Sequence, residues 1–226
     1  VCLEGEISKS TISDGLGRGK RASGDLIPWT IAQQYQDNDF PRLAGARIVR
    51  IATHPDYHSM GYGRRALDLL KQYYEMKIPN IDEATEEPTE IEKVEDEKVD
   101  LLEETIEPRA SLPPLLLNLN ERRPERLDYL GVSFGLTERL LKFWKRSGFV
   151  PVYLRQTTND ITGEHSCIMI SKVVSDEDQD FSWLEAYWKD FRRRFVTLMS
   201  YGFAGYSPAL ALGVLTNKAF EADHKV

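Results

Sequence analysis

A run of β-branched residues that leads into glycines and then into a helix limits this chain more than any other feature. Arg47-Ile48-Val49-Arg50-Ile51-Ala52-Thr53 reads as a strand that stops at His54-Pro55. Asp56 to Leu67 then reads as a glycine-rich loop entering a helix. Glycine has no Cβ, so at Gly61 and Gly63 the backbone can come close to a ligand. The N–H groups of a first helical turn have no partner within the helix, and the dipole favours an anion in front of them. The stretch describes a pyrophosphate cradle, with Ile51, Ala52 and Thr53 beside it as backbone for an extended ligand arm. A helix that merely starts at glycines is the bland alternative, and the order strand, loop, helix weighs against it.

The loop has neither the GxGxxG spacing of a dinucleotide fold nor the Gly-Lys-Ser/Thr of a P-loop. It fits Q/R-x-x-G-x-G/A as His58-Ser59-Met60-Gly61-Tyr62-Gly63, and so resembles the pyrophosphate loop of the GNAT acetyltransferases. His58 stands where that pattern has Gln or Arg, so its side-chain contact is an open question, whereas the backbone contacts depend only on the turn. A second glycine-rich stretch, Gly15 to Gly24, fails the P-loop motif because Arg21 follows Lys20.

The rest of the chain supplies matching elements. Cys2 to Ile7 reads as a strand, and Trp29 to Tyr35 as a short helix after Pro28. A helix from Gly61 to about Lys77 places Ala66, Leu67, Leu70, Tyr73 and Tyr74 on one face. Leu127 to Phe134 is a strand, and Thr137 caps a helix through Arg146 that Gly148 stops. Phe149 to Gln156 and His165 to Val173 form an antiparallel hairpin around Asn159-Asp160-Ile161-Thr162-Gly163. Helices are expected from Phe181 to about Tyr201 and from Tyr206 to Phe220. The fold class is α/β (α+β) with a mixed sheet, followed by a helical C-terminal segment.

Net charge is −7, but the charge is uneven. Asp82 to Glu107 holds 13 acidic residues against 2 lysines, and the remainder, 23 acidic against 27 basic, is mildly basic. The acidic stretch, about 80–110, reads as a solvated insertion. Basic clusters at Arg18/Lys20/Arg21, Arg122/Arg123/Arg126 and Arg192/Arg193/Arg194 suit a polyanion partner, although any one of them also fits ordinary surface. Cys2 and Cys167 make no disulfide framework, which suits a reducing compartment. No run is long enough to span a membrane. His54, His58, His165 and Cys167 lack metal-ligand spacing, so no metal is expected. The chain opens at Val1 on a strand and reads as a piece of a longer protein.

Leu127-Asp128-Tyr129-Leu130-Gly131-Val132-Ser133, Phe143-Trp144-Lys145-Arg146, Gly163-Glu164-His165-Ser166-Cys167 and Trp188-Lys189-Asp190-Phe191-Arg192-Arg193-Arg194-Phe195 narrow the resemblance. With them the chain closely resembles the eukaryotic RNA cytidine acetyltransferases, relatives of the bacterial tRNA(Met) cytidine acetyltransferase. The resemblance covers nearly everything but the acidic insertion. It implies a GNAT domain over 1–174 and the start of a helical RNA-binding tail over 175–226. It implies acetyl-CoA at Ile51 to Thr53, at His58, Ser59, Met60, Gly61, Tyr62, Gly63 and Arg64, and at Arg146. It also implies RNA substrates (rRNA and tRNA), ATP at a module outside this chain, a tRNA-binding adaptor protein, a homodimer, and a nuclear, nucleolar location with a role in ribosome biogenesis.

The chemistry can be reasoned independently. The exocyclic amine of cytosine is neutral at pH 7 but a weak nucleophile, so the enzyme must align it, stabilise an oxyanion and accept a proton. An N–H near Ile51 to Thr53 is the natural oxyanion donor. His165 is the first choice of base because histidine titrates near neutrality, with a purely structural role about equally open. Glu164 and Tyr129 come behind it. Trp144 stands where many GNAT enzymes place a tyrosine acid, and indole cannot act as one, so core packing is its expected role. Arg192, Arg193 and Arg194 are expected to contact RNA phosphates, while Leu184, Trp188, Phe191 and Phe195 face the core. A protein lysine acetyltransferase and a non-catalytic acyl-CoA-binding assembly module remain as alternatives.

Overall fold

A computed structural model describes residues 1–19, 24–78, 123–174, 180–217 and 220. The acidic insertion, Lys20, Arg21, Arg122 and residues 175–179 lie outside them. Five strands form one sheet: β1 (Cys2–Gly5), β2 (Ala44–Ile48), β3 (Tyr129–Gly135), β4 (Val150–Thr158) and β5 (His165–Lys172). Their order is β1-β2-β3-β5-β4, with β2 and β3 parallel and every other pair antiparallel. The mixed α/β class expected from sequence is what the chain forms.

Strand alternation sorts the residues of β3 between two layers. A Cβ on Gly131 would lie 2.3 Å from Cδ1 of Ile27, so Gly131, Ser133 and Gly135 face α1 (Lys9–Gly17) and α2 (Leu26–Tyr35). Phe134 points the other way, 6.0 Å from the ring of Trp144 on α4 (Glu138–Arg146). The helix α3 (Tyr62–Tyr74) starts against α4, where Gly63 meets Phe143.

Local signals fixed several boundaries. Thr137 Oγ1 accepts from the Leu140 N–H at 3.3 Å, and Gly148, at φ +83°, ends α4. Asn159 Oδ1 accepts from the N–H groups of Ile161 and Thr162, closing the hairpin turn. Other boundaries moved. β2 ends at Ile48 rather than Thr53, because its parallel pairing stops at Ile48–Val132. Ala66 is exposed, not on the buried face of α3. Lys9–Gly17, which contains the start of the expected glycine loop, is a helix capped by Ser8. Gly15 is required there because Cη2 of Trp29 lies 2.2 Å from where its Cβ would be.

Helix α5 (Ser182–Leu198) lies along β4 and buries Leu184, Tyr187, Trp188, Phe191 and Phe195, the face expected plus Tyr187. Rings of Phe191, Phe195 and Phe203 continue the stack, each within about 6 Å of the next. Helix α6 (Pro208–Leu215) packs on α4. Tail and sheet therefore share one apolar core.

The Tyr187 hydroxyl donates to the Asp37 carboxylate, pinning α5 to the loop after α2. Partial burial opposes ionisation of Asp37, but this bond and the N–H groups of Asp39 and Phe40 together hold its pKa below the ordinary 3.8. Such a depressed group contributes stability above 3.8 that is lost as pH falls through its folded value. Asp37→Asn should lower the melting temperature at neutral pH and flatten its fall below pH 3.8; parallel pH curves for the two proteins would refute this.

Candidate functional site

The site begins where β2 loses its neighbour. After Ile48–Val132 the chain leaves the ladder, while β3 runs on to Gly135 paired only with β5. Among the described residues, the N–H groups of Ile51, Ala52 and Thr53 make no hydrogen bond. A short 3-10 turn, Pro55–Tyr57, follows. Ser59 (φ +64°) and Gly61 (φ +91°) then reverse the chain into α3. Gly61 caps α3 without a side-chain acceptor, so the first-turn N–H groups stay open toward the loop.

The two glycines serve different needs. Gly61 has open space around its Cβ position and is required by its backbone angle. Gly63 has an ordinary φ; a Cβ there would sit 3.3 Å from the Phe143 ring, a tight contact where α3 approaches α4. His58 braces the loop: its Nε2 donates to the Thr53 carbonyl at 2.7 Å. A carbonyl only accepts, so Nε2 carries the proton.

Between the α3 N-terminus and α4 lies a cleft of about 650 Å³. Ile51, Ala52, Thr53, His58, Ser59, Gly61, Tyr62, Gly63, Arg64 and Arg146 all line it. Met60 does not; it is 63% exposed. Arg139, Lys142 and Phe143 also line it, and sequence reading missed them. The signal was available: Arg139, Lys142 and Arg146 fall at i, i+3 and i+7 on α4. Lys142 is paired with Glu138 at 2.6 Å, and Arg64 with Asp68 at 3.9 Å. The cleft thus combines an apolar wall (Ile51, Leu140, Phe143, Trp144) with a cationic rim, which suits a long ligand carrying an apolar arm and several phosphates. Trp144 is buried among Phe134, Phe143 and Phe149, as core packing required, with its indole Nε1 unpartnered.

The expected base lies elsewhere. His165 Nδ1 is 2.8 Å from the Arg155 carbonyl, and its ring meets Phe203 and Tyr206 edge-on. Nδ1 must donate there, which leaves Nε2 as the acceptor of the neutral ring. The ring is not among the residues lining the cleft. Glu164 lies against Gly135 on the α1–α2 face, its Oε2 2.2 Å from where a Cβ on Gly135 would be. Tyr129 is fully buried, and burial raises its pKa well above 10.0, which removes it as a candidate. Of the arginine cluster, Arg192 and Arg193 are exposed and Arg194 is half-buried; Arg193 is held by Asp190. Among the described residues, no group of His, Cys, Asp and Glu gathers to hold a metal ion, and no helix is long and apolar enough to cross a membrane.

The family described as GNAT acetyltransferase 2 matches residues 1–174. The chain belongs to this family. Residues 183–226 match a second family described as "Possible tRNA binding domain". The chain is 64% identical over 221 residues to an RNA cytidine acetyltransferase of Mus musculus, covering 96% of this chain and 22% of that protein. It is 55% identical over 229 residues to one of Caenorhabditis elegans, with the same coverages. Against that of Saccharomyces cerevisiae it is 51% identical over 221 residues, 95% of this chain and 21% of the relative. The chain spans about a fifth of the length of these curated relatives. Membership in a GNAT acetyltransferase family implies use of acetyl-CoA.

His58→Ala frees the Thr53 carbonyl and loosens the loop while leaving the core untouched. Calorimetry should show acetyl-CoA affinity falling several-fold with the melting temperature nearly unchanged; equal affinity would mean the turn holds itself without the brace.

Proposed function

We propose that the chain is the acetyl-transfer unit of an RNA cytidine acetyltransferase, moving the acetyl group of acetyl-CoA to the exocyclic amine of cytidine in RNA. The observation that carries this reading is the cationic cleft that ends at the unpaired N–H groups of Ile51, Ala52 and Thr53. The α3 N-terminus, with Arg64 and Arg146 beside it, would hold the diphosphate of acetyl-CoA. The N–H groups of Ile51 to Thr53 would pair with the extended arm and donate to the thioester carbonyl and its oxyanion. The amine nitrogen forms a bond to the carbonyl carbon and loses a proton, the C–S bond breaks, and the thiolate leaves. Trp144 cannot protonate that thiolate, so water or the α3 dipole assists. The proton is assigned to His165 Nε2, with Glu164 behind it; both stand at the start of the strand β5 that pairs with β3, although neither lines the cleft.

Names and sequence support the RNA substrate: the relatives are RNA cytidine acetyltransferases, and the tail matches a description mentioning tRNA. An ATP-using module, a tRNA adaptor, a homodimer and a nucleolar location rest on the resemblance alone. The binding-only reading has Trp144 in its favour. Mass spectrometry of nucleosides from RNA incubated with the full-length protein and acetyl-CoA separates the two: acetylcytidine is expected, and its absence would favour the binding module. Arg146→Ala should weaken acetyl-CoA about tenfold or more with little change in melting temperature, since Arg146 is exposed and contributes charge-assisted contacts rather than packing. Lost stability with normal affinity would make Arg146 a helix cap instead.

The exposed Arg192 is expected to position RNA without reading sequence. Arg192→Gln should reduce the slope of log affinity against log salt by about one; an unchanged slope would leave the residue as plain surface.

A further inference from the structure

On the α1–α2 face of the sheet, opposite the cleft, lies a second pocket of about 500 Å³. Its floor is Ser133 of β3, Ser166 and Ile168 of β5, and Tyr153 of β4. These residues share one face by register: Ser133 pairs with Ile168, and Tyr153 pairs with Ile168 from the other side. Its wall is α2, through Trp29 and Gln33. Arg155 stands at its edge, exposed to solvent.

The pocket and the cleft meet the same break in the sheet. Ser133 directly follows Val132, the last residue of β3 paired with β2. Ile51 to Thr53, just beyond the matching end of β2, line the cleft on the other face. The pocket and the cleft thus border, from opposite faces, the stretch where no ladder joins Ile51–Thr53 to Ser133–Gly135.

We infer that this pocket receives the acceptor cytosine, with Trp29 and Tyr153 offering ring faces, the Ser133, Ser166 and Gln33 side chains facing the base edge, and Arg155 holding an adjacent phosphate. The inference rests on the function proposed above and names its acceptor subsite. The lining decides between acceptor classes. A lysine side chain arrives as an ammonium, and a pocket for it would supply carboxylates. Among the described residues lining the pocket there is no Asp or Glu, and the one ion is a cation. Glu164, on the same face, lies over Gly135 and does not line it. A neutral heteroaromatic ring next to an anion matches two aromatic faces, neutral hydrogen-bonding groups and a guanidinium. The size fits one base that has left its stack, not a duplex.

Trp29 also packs on Gly15, so its replacement would disturb α1. The informative variants are Tyr153→Leu, which keeps bulk but removes the ring face, and Arg155→Ala at the exposed edge. In the full-length protein, each should raise KM for a cytidine-containing RNA about fivefold or more, while acetyl-CoA affinity by calorimetry stays as in the wild type. A wild-type protein that makes acetylcytidine, together with unchanged RNA KM in both variants, would overturn the pocket assignment and leave the proposed function standing. A wild-type protein that makes no acetylcytidine would instead remove the proposed function on which the assignment rests. Parallel losses of acetyl-CoA affinity would also overturn it, because the pocket would then belong to the cofactor side.

Discussion

A parallel ladder that stops early organises this molecule. Every backbone N–H and C=O seeks a partner, and a strand inside a sheet normally finds two. Beyond Ile48, β2 gives up its pairing with β3. The N–H groups of Ile51, Ala52 and Thr53 are thereby left for a ligand. The His58 ring takes up the Thr53 carbonyl, so part of the demand is met within the loop and the open side is held in place. The positive φ at Ser59 and Gly61 then aims the α3 N-terminus at the same cleft. Unpaired strand donors and unpaired helix donors converge because one ladder ends where it does.

Helix α4 ties this site to the rest of the chain. Trp144 and Leu141 are buried. Arg139, Lys142 and Arg146 border the cleft. Lys145, between them, donates to the carbonyls of Gly213 at 2.6 Å and of Thr216, completing the C-terminal end of α6 with a cation where the helix dipole favours one. Leu141 Cδ2 lies 3.3 Å from where a Cβ on Gly213 would be, so the two helices also approach closely. The tail is thus anchored to the helix that forms a wall of the cleft, and α5 is anchored separately through Asp37 and Tyr187.

What could be read in the sequence followed the range of the interaction. Thr137 and Gly148 bracket α4 by contacts within a few residues, and the Asn159–Gly163 turn closes on itself, so both were legible. The buried face of α5 was legible from helical spacing. β-branched residues at Val49 to Thr53 signal an extended backbone but not its partner, which is why the strand seemed five residues longer than the ladder that forms. The helix α1 was hidden because Gly15 and Gly17 argue against one; Trp29, from another helix, supplies the reason for Gly15. Arg139 and Lys142 escaped notice because their role depends on α4 docking beside α3, a contact that no local pattern encodes. His165 stands out in sequence by its residue type, but only the packing of the tail shows its ring turned toward Phe203 and Tyr206.

On the proposed function and acceptor pocket, the sheet also separates two charge problems. A CoA ester and an RNA strand are both polyanions, and bringing their phosphates together would cost more the drier the site became. Cations for the first stand on α3 and α4, at Arg64, Arg139 and Arg146. The cation for the second, Arg155, stands at the pocket on the opposite face. Phosphates held on opposite faces would stay apart, and only the uncharged thioester and the uncharged amine would need to meet. Charge for binding and neutrality for reaction would thus be kept in different places by a single layer of backbone, at the point where the ladder between β2 and β3 ends.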